Sequence, residues 1–287
     1  MGRLQRLIDE PVPLRFLALR FLDRRFNFLG YPTKLNLGAI ERPHYGHCLL
    51  KAAELARKLG QGRITAIEFG VAGGNGLLSL ERHAELVRQE TGIGINIYGF
   101  DSGTGMPPPR DYRDMPYMWQ QGYFAMEADK LRARLHAARL VLGPVEQTVR
   151  DFCSQENPPP IGFVAFDLDY YSSTASALTL FDANSRHFLP RVACYFDDVV
   201  GDIDWAYNEF TGELLAIKDF NRSHEDVKLA RVNGLRFVGG RLPRAWHEQI
   251  FVAHFFRHAD YDRPISEVSQ HPLDPPAGGE RLLEAED

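Results

Sequence analysis

The stretch Ile64-Thr-Ala-Ile-Glu-Phe-Gly70-Val-Ala-Gly-Gly-Asn-Gly76, followed downstream by Ile95-Asn-Ile-Tyr-Gly-Phe-Asp101, decides how this chain is read. The first apolar run has the length and β-branching of a buried strand, and it breaks into a glycine-rich turn. Helical spacing follows, with Leu77, Leu78, Leu80, Leu86 and Val87 apolar. A second short strand, Ile95 to Phe100, ends on Asp101. Strand, glycine turn, helix, strand and acid form a nucleotide-binding βαβ unit. Glycines let the backbone turn sharply and approach a ligand closely. An acid at the end of the second strand can accept hydrogen bonds from ribose hydroxyls.

Glycine spacing narrows the ligand. A dinucleotide fingerprint needs G-x-G-x-x-G, and Gly74-Asn-Gly76 is followed by Ser79 where the third glycine would stand. What stands here is Glu68-Phe-Gly70 with Gly73, Gly74 and Gly76. This resembles the first motif of class I S-adenosylmethionine-dependent methyltransferases, whose ligand carries a ribose and no pyrophosphate. The resemblance implies cofactor contacts at Glu68, Gly70, Gly74, Gly76, Asp101 and Ser102. A purely structural βα turn is the alternative.

Outward from this unit, 287 residues fit one large α/β domain with appendages, and 44% hydrophobic content supports a sizeable core. A net charge of −5 argues against nucleic-acid binding through a basic surface. The cysteines Cys48, Cys153 and Cys194 form no C-x-x-C pair and suit a reducing compartment. No apolar run is long enough to span a bilayer and no signal peptide is evident, so the expected location is cytoplasmic.

Residues 14–29 read as a helix with Leu14, Leu17, Phe21, Leu22 and Phe28 on one face and arginines largely elsewhere. Three readings stand: docking on its own domain, docking on a second subunit in a homo-oligomer, or peripheral contact with a membrane surface. A second helix is expected over Tyr45 to Leu59, with His44 and His47 as surface or capping residues at its start. His83, on the helix after the glycine turn, is expected to be exposed.

After Asp101 the composition changes. Ser102 to Met126 is rich in Gly, Pro, Tyr, Met and Trp, and so long an irregular segment beside a strand end reads as a substrate-facing lid. A helix at Glu127 to Ala138 and strands at Arg139 to Leu142 and Gly162 to Phe166 follow. Ser173 to Phe181 is helical, Arg191 to Phe196 a strand, Trp205 to Phe220 helical, and Val227 to Val232 and Ile250 to Phe256 the last strands. This alternation predicts an open, mainly parallel sheet with helices on both faces. The organisation expected is a helical extension over 1–44, a domain over 45–269 with its lid at 102–126, and a disordered tail over 270–287. His254 and His258 would share a face of the last strand, and with His247 they lack a metal-ligand pattern.

Two acidic clusters follow apolar strands: Asp167 with Asp169, and Asp197 with Asp198. In a parallel sheet both strand ends face the edge that carries the glycine turn. Carboxylates converging there repel, and a divalent cation with oxygen ligands would relieve them. Helix capping by individual aspartates is the alternative.

The motifs in order resemble the macrocin O-methyltransferase family of class I methyltransferases. The resemblance rests on Tyr98-Gly-Phe-Asp-Ser102, Gly105-Met106-Pro107, Leu142-Gly-Pro-Val-Glu-Gln-Thr148, Asp167-Leu-Asp-Tyr-Tyr-Ser-Ser-Thr174 and Asp197-Asp-Val199. It covers roughly residues 64–256. Leu168 stands where the family has glycine between the aspartates, Ser172 where it has an acid, and Val199 where it has tyrosine. The resemblance implies a Rossmann-like fold with a seven-stranded, mostly parallel sheet. It also implies S-adenosyl-L-methionine as methyl donor, Mg²⁺ held by Asp167, Asp197 and Asp198, and Asp167 as general base. The acceptor would be a hydroxyl on a small polar molecule such as a sugar or secondary metabolite. Metal-independent N- or C-methylation, a non-catalytic scaffold and a nicotinamide oxidoreductase are the competing readings.

Overall fold

The computed structural model describes residues 14–203, 207–238 and 243–266. Its centre is a seven-stranded sheet, numbered here along the chain. The strands are β1 (Arg63–Phe69), β2 (Gly94–Asp101), β3 (Arg139–Leu142), β4 (Ile161–Phe166), β5 (Phe188–Phe196), β6 (Val227–Arg231) and β7 (Ile250–Phe255). Their spatial order is β3-β2-β1-β4-β5-β7-β6. All neighbouring pairs are parallel except those made by β7, which runs antiparallel between β5 and β6. The order reverses between β1 and β4, which opens a crevice at the carboxyl edge. Every residue of β4 is buried, as expected for a strand covered on both faces.

The helices are α1 (Leu14–Phe26), α2 (Tyr31–Leu37), α3 (Pro43–Lys58), α4 (Asn75–Thr91), α5 (Ala128–Arg132), α6 (Val145–Thr148), α7 (Phe152–Glu156), α8 (Tyr171–Leu178) and α9 (Gly212–Ser223). On one face α2, α3 and α4 bury Leu49, Ala53, Leu77 and Leu80 against Ile64, Ala66 and Phe163. On the other, α7, α8 and α9 bury Phe152, Leu178 and Phe220 against Ile67, Phe69 and Phe166. The expected α/β architecture is the one observed. No helix among the described residues is long and apolar enough to cross a membrane.

Several local expectations are corrected. The helix expected from Trp205 starts at Gly212; Trp205 lies outside the described residues, as does the expected tail. The helix expected over Glu127 to Ala138 is the short α5. His83 is buried, not exposed: Tyr31 and the carbonyls of Glu41 and Arg42 surround its ring. His47 is buried rather than a surface residue, and His44, half-buried in the first turn of α3, stacks on Tyr195 with centroids 4.4 Å apart. β7 ends at Phe255, so His258 is off the strand and shares no face with His254. In α1 the buried residue is Asp23 at 6% exposure while Phe21 is 74% exposed. Asp23 accepts from the Leu29 N–H and pairs with Lys34 at 3.3 Å, so the acid faces the body of the protein. Phe21, Leu22, Phe26 and Phe28 stay exposed among the described residues, while Phe16, Leu17 and Leu19 are half-buried.

Candidate functional site

Strand register builds the site. Phe100, Phe69, Phe166 and Phe196 are paired across β2, β1, β4 and β5. Their rings form one row on one face, with centroids 4.9, 5.5 and 4.5 Å apart in sequence across the sheet. Side chains alternate along a strand, so the next residue of each belongs to the opposite side. Those residues are Asp101, Gly70, Asp167 and Asp197. Backbone bonds carry the ladder one step past the strands: Gly70 N–H to Phe100 O (2.9 Å), Asp167 N–H to Phe69 O (2.9 Å), and Asp197 N–H to Phe166 O (3.0 Å). The sequence-derived acids and the glycine turn therefore stand side by side at one edge, on a cavity of about 1060 Å³.

The glycines divide by role. A Cβ on Gly70 would stand 1.8 Å from the Asp167 carbonyl oxygen, and one on Gly76 would stand 1.8 Å from Glu68 Oε1. These two positions need glycine because protein atoms approach so closely, though both also line the cavity. Gly74 caps α4, packs against Leu131 and is not among the cavity's lining residues. Gly73 lines the cavity with open space where a Cβ would be.

Asp101 clasps the turn. Its Oδ2 accepts from the N–H groups of Val71 and Ala72, each at 2.9 Å, and its Oδ1 from Gly103 N–H at 2.7 Å. Three backbone bonds occupy most of the acceptor capacity expected to face a ribose. Ser102 donates its hydroxyl to Gly105 O at 2.8 Å and organises the next turn.

Asp167, Asp197 and Asp198 each offer a carboxylate oxygen within 4.8 Å of the others. Asp198 is buried and accepts from Asp169 N–H (3.0 Å) and Tyr207 O–H (2.8 Å). Its own N–H donates to Glu213, a fully buried acid on α9. Asp197 accepts from the Tyr195 hydroxyl. Burial, then the charges of Asp197 and Asp198, push the Asp167 carboxyl well above the usual carboxylate range, and Arg42 opposes them. Burial, followed by Asp198 and Asp167, raises Asp169 to about 10, and burial with Asp197 raises Asp198 to about 6. So dense a set of oxygen donors suits a hard divalent cation.

Leu168, where the resembled pattern has glycine, is accommodated because the left-handed residue of this turn is Asp169, at φ +58. The serine at position 172 has an acid beside it after all. Asp114, from segment 102–126, is buried and accepts from Ser172 N–H (2.8 Å), Ser172 O–H (2.9 Å) and Arg110 N–H (2.8 Å). It supplies the N-terminal cap of α8 from another part of the chain. The next residue, Met115, is fully buried against Gly212. The arms of the segment are joined by Met106 N–H to Tyr123 O (2.8 Å) and Gly122 N–H to Met106 O (2.9 Å). Met106, Trp119 and Phe124 from the same segment also line the cavity.

Sequence reading did not find Arg42, Tyr45, Asp114, Tyr207 or Glu213. Arg42 precedes Pro43 at the start of α3 and lines the cavity in a left-handed conformation, φ +44. Its carbonyl and that of Glu41 accept from His83 Nε2 at 3.1 and 2.9 Å, while His83 Nδ1 meets the Tyr31 hydroxyl at 2.9 Å. Carbonyls only accept, so Nε2 carries the proton.

No protein-family model and no curated protein matches this chain. Solved structures do. The calicheamicin methyltransferase CalS11 is 22% identical, with 88% of this chain and 90% of that one covered at a TM-score of 0.50. An O-methyltransferase from Bacillus cereus in complex with SAH is 14% identical over 87% and 94% at 0.39. MycE from mycinamycin biosynthesis, in complex with Mg, SAH and mycinamycin VI, is 14% identical over 72% and 56% at 0.35. The likeness to CalS11 is one of fold, and the chain has the Rossmann-like class I methyltransferase fold.

Proposed function

We propose that the chain transfers the methyl group of S-adenosylmethionine to a hydroxyl of a small polar molecule, such as a sugar or other secondary metabolite, with the aid of a divalent cation. The observation that carries this reading is the shared edge. The glycine turn with Asp101 and the carboxylates of Asp167 and Asp197 line the same cavity, together with Met106, Trp119 and Phe124. Two features fit the donor: open space at Gly73, and a buried Glu68 Oε2 without a hydrogen-bond partner. The oxygen donors of Asp167, Asp197 and Asp198 fit Mg²⁺. Assignment to the macrocin O-methyltransferase-like family belongs to the same proposal.

The donor supplies an activated methyl on a sulfonium, and the cation would lower the pKa of a hydroxyl placed beside it. The chain's residues do the rest. Trp119 and Phe124 offer flat apolar surface to the acceptor's C–H face, and the acids fix the hydroxyl's direction. Asp167 takes the hydroxyl proton as the oxygen–methyl bond forms. The sulfur–methyl bond breaks, its electron pair stays on sulfur, and the thioether leaves as S-adenosylhomocysteine. Segment 102–126 acts as the lid that excludes water, tied down at Asp114. The helices before residue 45 are an extension to the catalytic domain.

The test is methyl transfer from labelled donor across a panel of hydroxylated acceptors, with EDTA and with Mg²⁺ restored. Labelled O-methyl product that requires the cation supports the reading. Full turnover in EDTA removes the metal, and N- or C-methyl product removes the hydroxyl acceptor.

A further inference from the structure

Helix α1 turns its one acid inward and three of its arginines outward. Between Leu14 and Ile40 the chain carries Arg15, Arg20, Arg24, Arg25 and Lys34 and a single acid, Asp23. That acid is buried and paired with Lys34 at 3.3 Å, so it offers nothing to the outside. The outward side of α1 holds Phe21, Leu22 and Phe26 with Arg15, Arg24 and Arg25, all of them exposed. Phe28 follows the helix and is exposed too. The chain as a whole has a net charge of −5, so this face is a positive surface on an acidic protein.

Rings and cations are interleaved on that face. Successive helical residues are about 100° apart, which sets Arg25 between Phe21 and Leu22 around the axis and Arg15 between Leu22 and Phe26. The Arg25 guanidinium lies 5.6 Å from the Phe26 ring centroid. A folded partner would need a separate acid opposite each arginine. A phospholipid surface presents phosphates everywhere and lets phenyl rings enter the acyl boundary beneath them. A second copy docked through a two-fold axis would set arginines against arginines. Length fits the same occupant: α1 has 13 residues, about 20 Å of helix, too short and too charged to span a bilayer, so it lies along one.

We propose that the outer face of α1 is a docking surface for a membrane rich in anionic phospholipid. Phe21, Leu22 and Phe26 enter the boundary between headgroups and acyl chains, and Arg15, Arg24 and Arg25 reach the phosphates. Asp23, held by Lys34 of α2 and by the Leu29 N–H, keeps the inner side of the helix on the protein while the outer side binds lipid. One short helix gives reversible attachment, not permanent anchoring. The proposal is independent of the methyl-transfer reading, because it concerns where the protein works and not what the cavity holds.

Flotation of the full chain with vesicles tests this. Vesicles of phosphatidylcholine alone are compared with vesicles containing about 30% phosphatidylglycerol, at about 0.1 M and about 0.5 M salt. At the lower salt the chain should partition at least about tenfold more strongly onto the anionic vesicles, and the higher salt should weaken it. Arg24→Ala with Arg25→Ala should weaken partition roughly 30-fold, since each basic residue near an anionic surface contributes about fivefold. Phe21→Ser with Phe26→Ser should weaken it about tenfold or more. Both double variants alter exposed side chains, so each should melt as wild type does. No flotation, equal flotation with both vesicles, or unchanged flotation of either double variant would overturn the proposal. So would a wild-type dimer, seen by sedimentation without lipid, that Phe21→Ser with Phe26→Ser turns into monomer: the face would then belong to a second copy.

Discussion

The rings of Phe166 and Phe196 stack 4.5 Å apart and within 5° of parallel across β4 and β5. Each is followed by an aspartate, so the aromatic stack on one side of the sheet fixes the spacing of Asp167 and Asp197 on the other. Phe166→Ala should cost on the order of 3–5 kcal/mol, since a fully buried ring leaves a cavity that only partly closes. Urea unfolding should show the fall in midpoint. A variant as stable as wild type would mean the row is not a structural unit.

Asp167→Asn tests the proton acceptor. The Asp167 side chain makes no hydrogen bond among the described residues, so the change removes little local structure. Turnover should fall by about 100-fold or more, while S-adenosylhomocysteine binds as in wild type. Unchanged turnover with saturating acceptor would exclude Asp167 as the base.

Cation binding should appear as stability. With Asp167, Asp197 and Asp198 repelling one another, Mg²⁺ at a hundredfold excess over its dissociation constant should add about 2.7 kcal/mol, or roughly 4–8 °C in melting temperature. Asp197→Asn should abolish most of the shift. The same shift in variant and wild type would place the cation elsewhere.

The acid side of the stability profile should follow His44. Its ring stacks on Tyr195, and its Nε2 is buried without a partner. Burial first, then Arg42, lowers its pKa from the usual value to about 3. The unfolded chain therefore binds a proton that the folded chain refuses. This contribution is complete above about pH 6.5 and is lost as pH falls from there towards 3, at most about 5 kcal/mol. His44→Phe keeps the stack and should flatten that part of the curve. An identical acid slope in wild type and variant would contradict this.

Asp114→Ala should loosen segment 102–126. It removes the cap of α8, worth about 1 kcal/mol, and the tie between that segment and Ser172. Trypsin should then cut faster after Arg110 and Arg113, and KM for the acceptor should rise with S-adenosylhomocysteine affinity unchanged. Wild-type proteolysis kinetics would show that the anchor lies elsewhere.

The central βαβ unit and both aspartate clusters were legible because each depends on local pattern: a buried strand, its end, and the acid one step past it. Asp101 was found, but not its three backbone partners, which come from a turn brought close only by folding. His83 falls on α4 among polar residues, and nothing near it in sequence announces Tyr31 or the Glu41 and Arg42 carbonyls. Arg42 itself reads as an ordinary arginine before a helix-starting proline. Asp114 caps a helix that begins 57 residues later, counting from 114 to Tyr171. Contacts of this reach leave no periodicity and no spacing to read.

The account stands most directly on whether the cavity at the Gly70 turn holds a sulfonium donor. Titration calorimetry of the purified chain with S-adenosylhomocysteine, and separately with NAD, decides it. One site per chain with a dissociation constant in the micromolar range for S-adenosylhomocysteine, about −8 kcal/mol, and no heat with NAD is the expected result. NAD binding, or silence with S-adenosylhomocysteine at millimolar concentration, would contradict it.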